Sequence, residues 1–182
     1  YFNEAVKPLD RKEVRQALAY VIDRNQVGEL ALPEVSRGTK YVSGLGDSLT
    51  EEWVDVSKLI DYSADETKAE ELLQKAGLSK NSSGQWMRED GTVFTLSLQC
   101  PMTWADASTA ASEIAQQLTA FGIKTTVEGI DESMRQSKIN EGDYQMAMSF
   151  FGSGQPHPMF SYETPLVMSG KGLSYEMVQD TD

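Results

Sequence analysis

The chain holds 182 residues, 40% of them apolar and 24% charged, enough for one domain with a real core. Sixteen basic against 28 acidic residues leave a formal charge of −12, which repels phosphate backbones and anionic lipid and argues against a nucleic-acid partner or peripheral membrane attachment. Cys100 is the single cysteine and His157 the single histidine, which removes an intrachain disulfide, a cysteine- or histidine-rich metal site and paired-histidine chemistry.

The first predicted element is a helix over residues 11–23. Asp10 and Glu13 have capping-box spacing, and Leu9 stands where a staple residue belongs. Val14, Ala17, Leu18 and Val21 mark one apolar face, expected to pack on a sheet. Residues 32–62 carry Pro33, Gly38, Gly44 and Gly46 with no sustained period. They read as a long irregular excursion, with a helical turn near residues 50–54 and with Tyr41 and Trp53 as anchors. Connections that long are uncommon in compact domains and tend to be functional or packed on a neighbour.

Helical spacing returns over residues 63–77. Ser63 and Glu66 form a second capping pair, Ala69, Leu72, Leu73 and Ala76 a stripe, and Gly77 a C-terminal stop. Asn81-Ser82-Ser83-Gly84 and Asp90-Gly91 are turn signals, the second suited to a tight hairpin. Phe94, Leu96, Leu98 and Cys100 alternate with polar residues, the mark of a strand with one buried face. A third helix is predicted over residues 107–120, with Ala111, Ile114, Ala115 and Leu118 inward and Gly122 ending it. A strand over 123–128, a helix over 131–140 with Met134 facing in, and a nearly all-apolar strand over 144–150 follow. That alternation predicts an α/β domain with right-handed crossovers and helices covering the sheet. Beyond Phe151 the chain is turn-rich, and residues 171–182 carry little pattern.

Catalytic patterns are missing. There is no Gly-Lys-Ser phosphate loop, no Gly-x-Ser-x-Gly elbow and no His-Glu-x-x-His. His157, in Gln155-Pro156-His157-Pro158, reads as a loop or cleft residue rather than a base. Asp47, Glu51 and Glu52 lie on an irregular stretch that fixes no glycosidase separation of about 5 to 9.5 Å, and read as solvated acids. Gly152-Ser153-Gly154 lacks the third glycine and the following helix of a dinucleotide loop. Glycines at a strand end instead let a ligand approach the backbone. Trp104 follows the 94–100 strand, and Phe150 and Phe151 end the last one. Because open α/β sheets bind ligands beyond the carboxyl ends of their strands, Trp104 and Phe151 are candidate cleft walls for a sugar face or a side chain. Phe150 is assigned to the core. The competing assignment for Trp104 and Phe151 is ordinary packing.

Four stretches, in order along the chain, resemble the family 5 extracellular solute-binding proteins of the oligopeptide, dipeptide and nickel-binding type. They are Lys7-Pro8-Leu9-Asp10-Arg11 through Asp23-Arg24, Tyr62 through Gly77, Ile114 through Ile123, and Glu141-Gly142-Asp143-Tyr144-Gln145-Met146-Ala147. The resemblance implies a periplasmic-binding-protein-like class II lobe, with a mixed sheet and helices packed on it. Residues 1–182 are then a single domain, most of the second lobe of a two-lobed protein, with the first lobe and the closing C-terminal segments outside it. It also implies a non-enzymatic role without cofactor, namely capture of an extracellular oligosaccharide or oligopeptide for the permease of an ABC transporter. The protein is then periplasmic, or extracellular as a membrane-anchored lipoprotein. A ligand-sensing module of a receptor or regulator is the alternative.

Peptide binders of this type carry an aromatic and then an aspartate after the strand matching residues 144–150, and the aspartate meets the peptide's amino terminus. Phe151 takes the aromatic position and Gly154 the aspartate's, so the charge is missing. Thr103-Trp104-Ala105-Asp106 and Phe150-Phe151-Gly152-Ser153 are similar to the branch that takes up oligosaccharides such as cello-oligomers. The implied ligand-binding residues are Trp104, Phe151, Gly152, Ser153, Gly154 and Gln155, and the implied preference is sugar over peptide.

Overall fold

A computed structural model of the chain describes residues 1–34, 36–149 and 157. Helix α1 (Lys12–Val21) forms as predicted, and Val14, Ala17 and Leu18 are fully buried. Its start differs from the capping-box expectation. Arg11 is the N-cap and makes no side-chain cap bond, because a guanidinium has no acceptor to offer a helix N–H and Arg11 donates instead to Glu89 and the Ala76 carbonyl, while Glu13 turns to Lys75 at 3.2 Å. Leu9 is fully buried, as a staple requires. The chain breaks at Ile22 and enters α2 (Arg24–Ala31), a helix the hydropathy pattern does not announce. Asp23 caps it, accepting from the N–H groups of Asn25 and Gln26 at 3.0 and 3.1 Å.

The excursion contains α3 (Asp47–Trp53) and a single 3-10 turn (Val56–Lys58). Trp53 does not anchor it, since that ring is half exposed. Among its described residues Leu45 and Thr50 are the buried ones, and the Thr50 hydroxyl meets that of Ser43 at 2.7 Å. Gly38 lies so close to the start of α2 that a Cβ there would stand 2.5 Å from the Arg24 carbonyl carbon. Helix α4 (Glu66–Lys75) is capped by Asp65 rather than Ser63. Asp61 has already engaged both the N–H and the hydroxyl of Ser63. Buried Ala69 and Leu73 set α4 against α1, so α4 rather than the sheet is the chief neighbour of α1.

Strands β1 (Ser79–Lys80) and β2 (Trp86–Met87) pair antiparallel around Asn81, whose Oδ1 accepts from the N–H groups of Ser83 and Gln85. The Asp90-Gly91 turn is closed by the Arg88 N–H donating to the Thr92 carbonyl at 2.8 Å. Strand β3 (Thr95–Pro101), α5 (Ala105–Ala120), β4 (Lys124–Ile130), α6 (Glu132–Glu141) and β5 (Met146–Ala147) then keep the predicted alternation. The sheet order is β4-β3-β5, all parallel, with Leu98 opposite both Val127 and Met146.

Phe94, Leu96, Leu98 and Cys100 enter one core with α1, α4 and α5, each fully buried leucine contributing about 1.5–3 kcal/mol. Neighbouring Met146 and Ala147 face opposite ways. The first joins that core, and the second joins Ile139 and Tyr144 beneath the sheet. Strand β5 is shorter than expected and ends the three-stranded order, with β3 at its centre. Its far side bridges antiparallel from Met146 to Phe2, and the Asn3 N–H donates to the Gln145 carbonyl at 2.9 Å. The result is a mixed α/β lobe with helices packed on a sheet. One inward assignment fails: Met134 is 53% exposed, and its neighbour Arg135 is the residue turned in, with its side chain 14% exposed.

Candidate ligand-binding site

Because β3, β4 and β5 run parallel, the segments leaving them gather at one edge of the sheet. Trp104 leaves β3 and is the N-cap of α5, half-buried, with extended backbone. Arg135 comes from the start of α6, just past β4, and Ser149 follows β5. The Arg135 guanidinium sits over the Trp104 ring, 5.3 Å from its centroid. Its Nε donates to Glu132 at 3.1 and 3.2 Å, its Nη2 to Glu132 at 3.2 Å, and its Nη1 to the Ser149 hydroxyl at 3.2 Å. A buried cation without a partner would be costly, and here the carboxylate three residues earlier balances it.

Beside Trp104 lies a cavity of about 390 Å³, within the range of small-molecule sites. Val27, Gly28 and Ala31 of α2 face Ala107, Ala110 and Ile114 of α5 across it, and Trp104, Asp106, Met148 and Ser149 line it as well. Arg24 also reaches the lining, donating to the carbonyls of Tyr62 at 2.7 Å and Ala19 at 3.1 Å. Burial lowers its pKa from the ordinary arginine value. The two helices are tied by Gln117, whose Oε1 accepts from the Asp23 N–H at 2.8 Å while its Nε2 donates to Glu113 at 2.8 Å.

Of the residues predicted from sequence, Trp104 stands at the strand exit, next to the cavity. Phe151, Gly152, Ser153, Gly154 and Gln155 lie outside the described residues, as does Phe150. His157 meets the Trp53 ring edge-on at 5.1 Å. Cys100 is buried under α5, and burial pushes its thiol up, the reverse of what a nucleophile needs. Among the described residues no three His, Cys, Asp or Glu side chains converge as a metal site, and no helix is long and apolar enough to cross a membrane.

Sequence reasoning missed Arg135, Glu132, Ser149 and the α2 wall. The available signal was the Glu132–Arg135 spacing of three, one residue past a strand.

Residues 1–172 match the model for bacterial extracellular solute-binding proteins, family 5 middle. The chain belongs to this family. Family 5 proteins bind solutes and are not catalysts. The dipeptide-binding protein of Lactococcus lactis subsp. cremoris is 27% identical over 176 residues, which are 94% of this chain and 30% of that protein. Among solved structures, NikZ from Campylobacter jejuni in complex with Ni(L-His) has a TM-score of 0.76 at 20% identity, over 95% of this chain and 34% of that one. A mannohexaose-bound periplasmic oligopeptide-binding protein from Thermotoga maritima has 0.75 at 20% identity, over 94% and 32%. AppA from Bacillus subtilis in complex with a nonapeptide has 0.73 at 22% identity, over 96% and 34%. These likenesses show a periplasmic-binding-protein-like lobe. This family 5 chain spans about a third of the length of the relatives it matches.

Proposed function

We propose that residues 1–182 form most of the second lobe of a two-lobed protein that captures an extracellular oligosaccharide for an ABC importer. The observation that carries this reading is the half-buried Trp104 at the carboxyl edge of the sheet, bordering a cavity of about 390 Å³. An indole there offers a broad apolar face at the place where open α/β sheets hold ligands. The resemblance in sequence assigns Phe151, Gly152, Ser153, Gly154 and Gln155 to the same ligand set, and Gly154 brings no charge for a peptide's ammonium group. The mutual pairing of Arg135 and Glu132 supports the same neutrality, because each is engaged with the other. The mannohexaose-bound relative supports sugar capture on this fold. The dipeptide-binding and nonapeptide-bound relatives supply the competing ligand class.

In this reading the first lobe brings the other half of the contacts, so the isolated lobe binds weakly. A ligand touching both lobes shifts the population toward closure, and the closed pair presents one surface to the permease. The protein works outside the cytoplasmic membrane, in the periplasm or as an anchored lipoprotein.

The test is calorimetry on the full two-lobed protein with cello-, xylo- and manno-oligomers beside tri- to pentapeptides. The reading predicts heat from at least one sugar series. Tight peptide binding with no sugar response would overturn it.

A further inference from the structure

We infer that Arg135 is a positioning residue for this site, holding the Trp104 indole and the Ser149 hydroxyl in place while its own charge is spent internally. The inference rests on Trp104 being the ligand platform, and it specifies how that platform is held and what it meets.

Arg135 joins the exits of all three parallel strands. It starts on the helix after β4, covers the tryptophan after β3 and donates to the serine after β5. Trp104 is the N-cap of α5, and its indole is met by the Arg135 guanidinium. The guanidinium is held as a plane, because its Nε, Nη2 and Nη1 are all directed, two to Glu132 and one to Ser149. A fork pinned at three nitrogens has its face fixed, and the indole packs on that face.

Arg135 is not among the residues lining the cavity, whereas Trp104 and Ser149 are. A ligand entering the cavity meets the ring and the hydroxyl together with Asp106 and Arg24, and the mutually paired Arg135 and Glu132 add little net charge. An indole face with polar groups around it suits a ring that is apolar on its face and carries hydroxyl groups at its edge, the chemistry of a sugar.

The experiment uses the full two-lobed protein, with cellopentaose and pentaalanine as probes. Affinities are measured for wild type, W104A, R135A, R135K and the W104A/R135A pair. In parallel, ¹⁹F spectra are recorded on 5-fluorotryptophan-labelled protein, with Trp104 and Trp86 assigned from W104F and W86F. R135A should weaken cellopentaose binding about fivefold to tenfold, R135K should restore less than half of that loss, and R135A should add nothing in the W104A background. The Trp104 resonance should shift in R135A while that of buried Trp86 stays in place, which separates positioning from a general loss of structure. Should R135A fail to fold, R135K carries the comparison with a smaller loss expected. Wild-type affinity in R135A beside a weakened W104A overturns this inference and leaves the platform reading standing. Unchanged affinity in W104A, or no binding of either probe, ends the platform reading and this inference with it.

Discussion

Gln117 of α5 accepts the backbone N–H of Asp23 at 2.8 Å through its side-chain carbonyl. That one bond fixes the residue capping α2 to the helix across the cavity, and the amide nitrogen of Gln117 is meanwhile held by Glu113, which is 9% exposed. Gln117→Ala removes the acceptor of one group and the donor of another. Stability should fall by about 1–3 kcal/mol. In urea unfolding this shows as a lower midpoint with an unchanged slope. Amide exchange should quicken in α2 and stay unchanged in the β1–β2 hairpin.

The tryptophans occupy three environments and should separate cleanly. Trp86 is 1% exposed, donates from Nε1 to the Phe121 carbonyl at 3.2 Å and lies 5.7 Å from the Phe121 ring centre. Trp86→Ala should cost about 3–5 kcal/mol. Trp53→Ala, at a ring that is 52% exposed, should cost no more than about 0.5 kcal/mol. Thermal or urea unfolding gives the ranking, and acrylamide should quench Trp53 most and Trp86 least.

Two glycines with positive φ should respond differently to the same change. Gly84 has φ +77° with nothing within 4 Å of an added Cβ, whereas at Gly122, φ +104°, that Cβ would stand 2.2 Å from the Gly84 carbonyl oxygen. Gly84→Ala should therefore cost only the left-handed backbone strain, about 1–2 kcal/mol. Gly122→Ala should cost clearly more, because the obstacle is backbone. Equal losses in urea unfolding would contradict the packing of the hairpin on the end of α5.

Four aspartates repeat one local arrangement. Asp55, Asp61, Asp90 and Asp131 each accept a hydroxyl at 2.6 Å from Ser57, Ser63, Thr92 and Ser133, two residues on. The hydroxyl bond, then the N–H bond from the same residue, favours the ionised form and holds all four carboxyl groups below the ordinary aspartate value. A depressed folded-state pKa lends stability that is present above the unfolded value of about 3.9 and lost as pH falls through the folded one. NMR titration should place Asp131 below that ordinary value. Ser133→Ala should move it back up and leave Asp55, Asp61 and Asp90 where they were.

Apolar spacing made much of the scaffold legible in the sequence. Phe94, Leu96, Leu98 and Cys100 lie on the buried face their alternation announced, and Val14, Ala17 and Leu18 are the residues α1 buries. Polar competition hid the rest. Ser63 looks like a cap until Asp61 takes its hydroxyl and Asp65 caps in its place. Helix α2 buries only Gly28 and is secured through its cap, so it leaves no apolar stripe to read. At the site, Trp104 was legible as an aromatic at a strand exit. Arg135 was not, because a hydropathy pattern turns Met134 inward and the cation outward. Pairing with Glu132 reverses that preference, since a neutralised guanidinium can lie against an indole at little desolvation cost.

The central claim is that Trp104 forms a ligand wall rather than packing. Calorimetry of wild type and Trp104→Ala in the full two-lobed protein tests it, using the cello-, xylo- or manno-oligomer that binds wild type best and urea unfolding as the control. The account predicts an affinity loss of roughly tenfold or more with stability changed by no more than about 1 kcal/mol. Unchanged affinity together with a loss of several kcal/mol in stability would return Trp104 to the core and contradict the account.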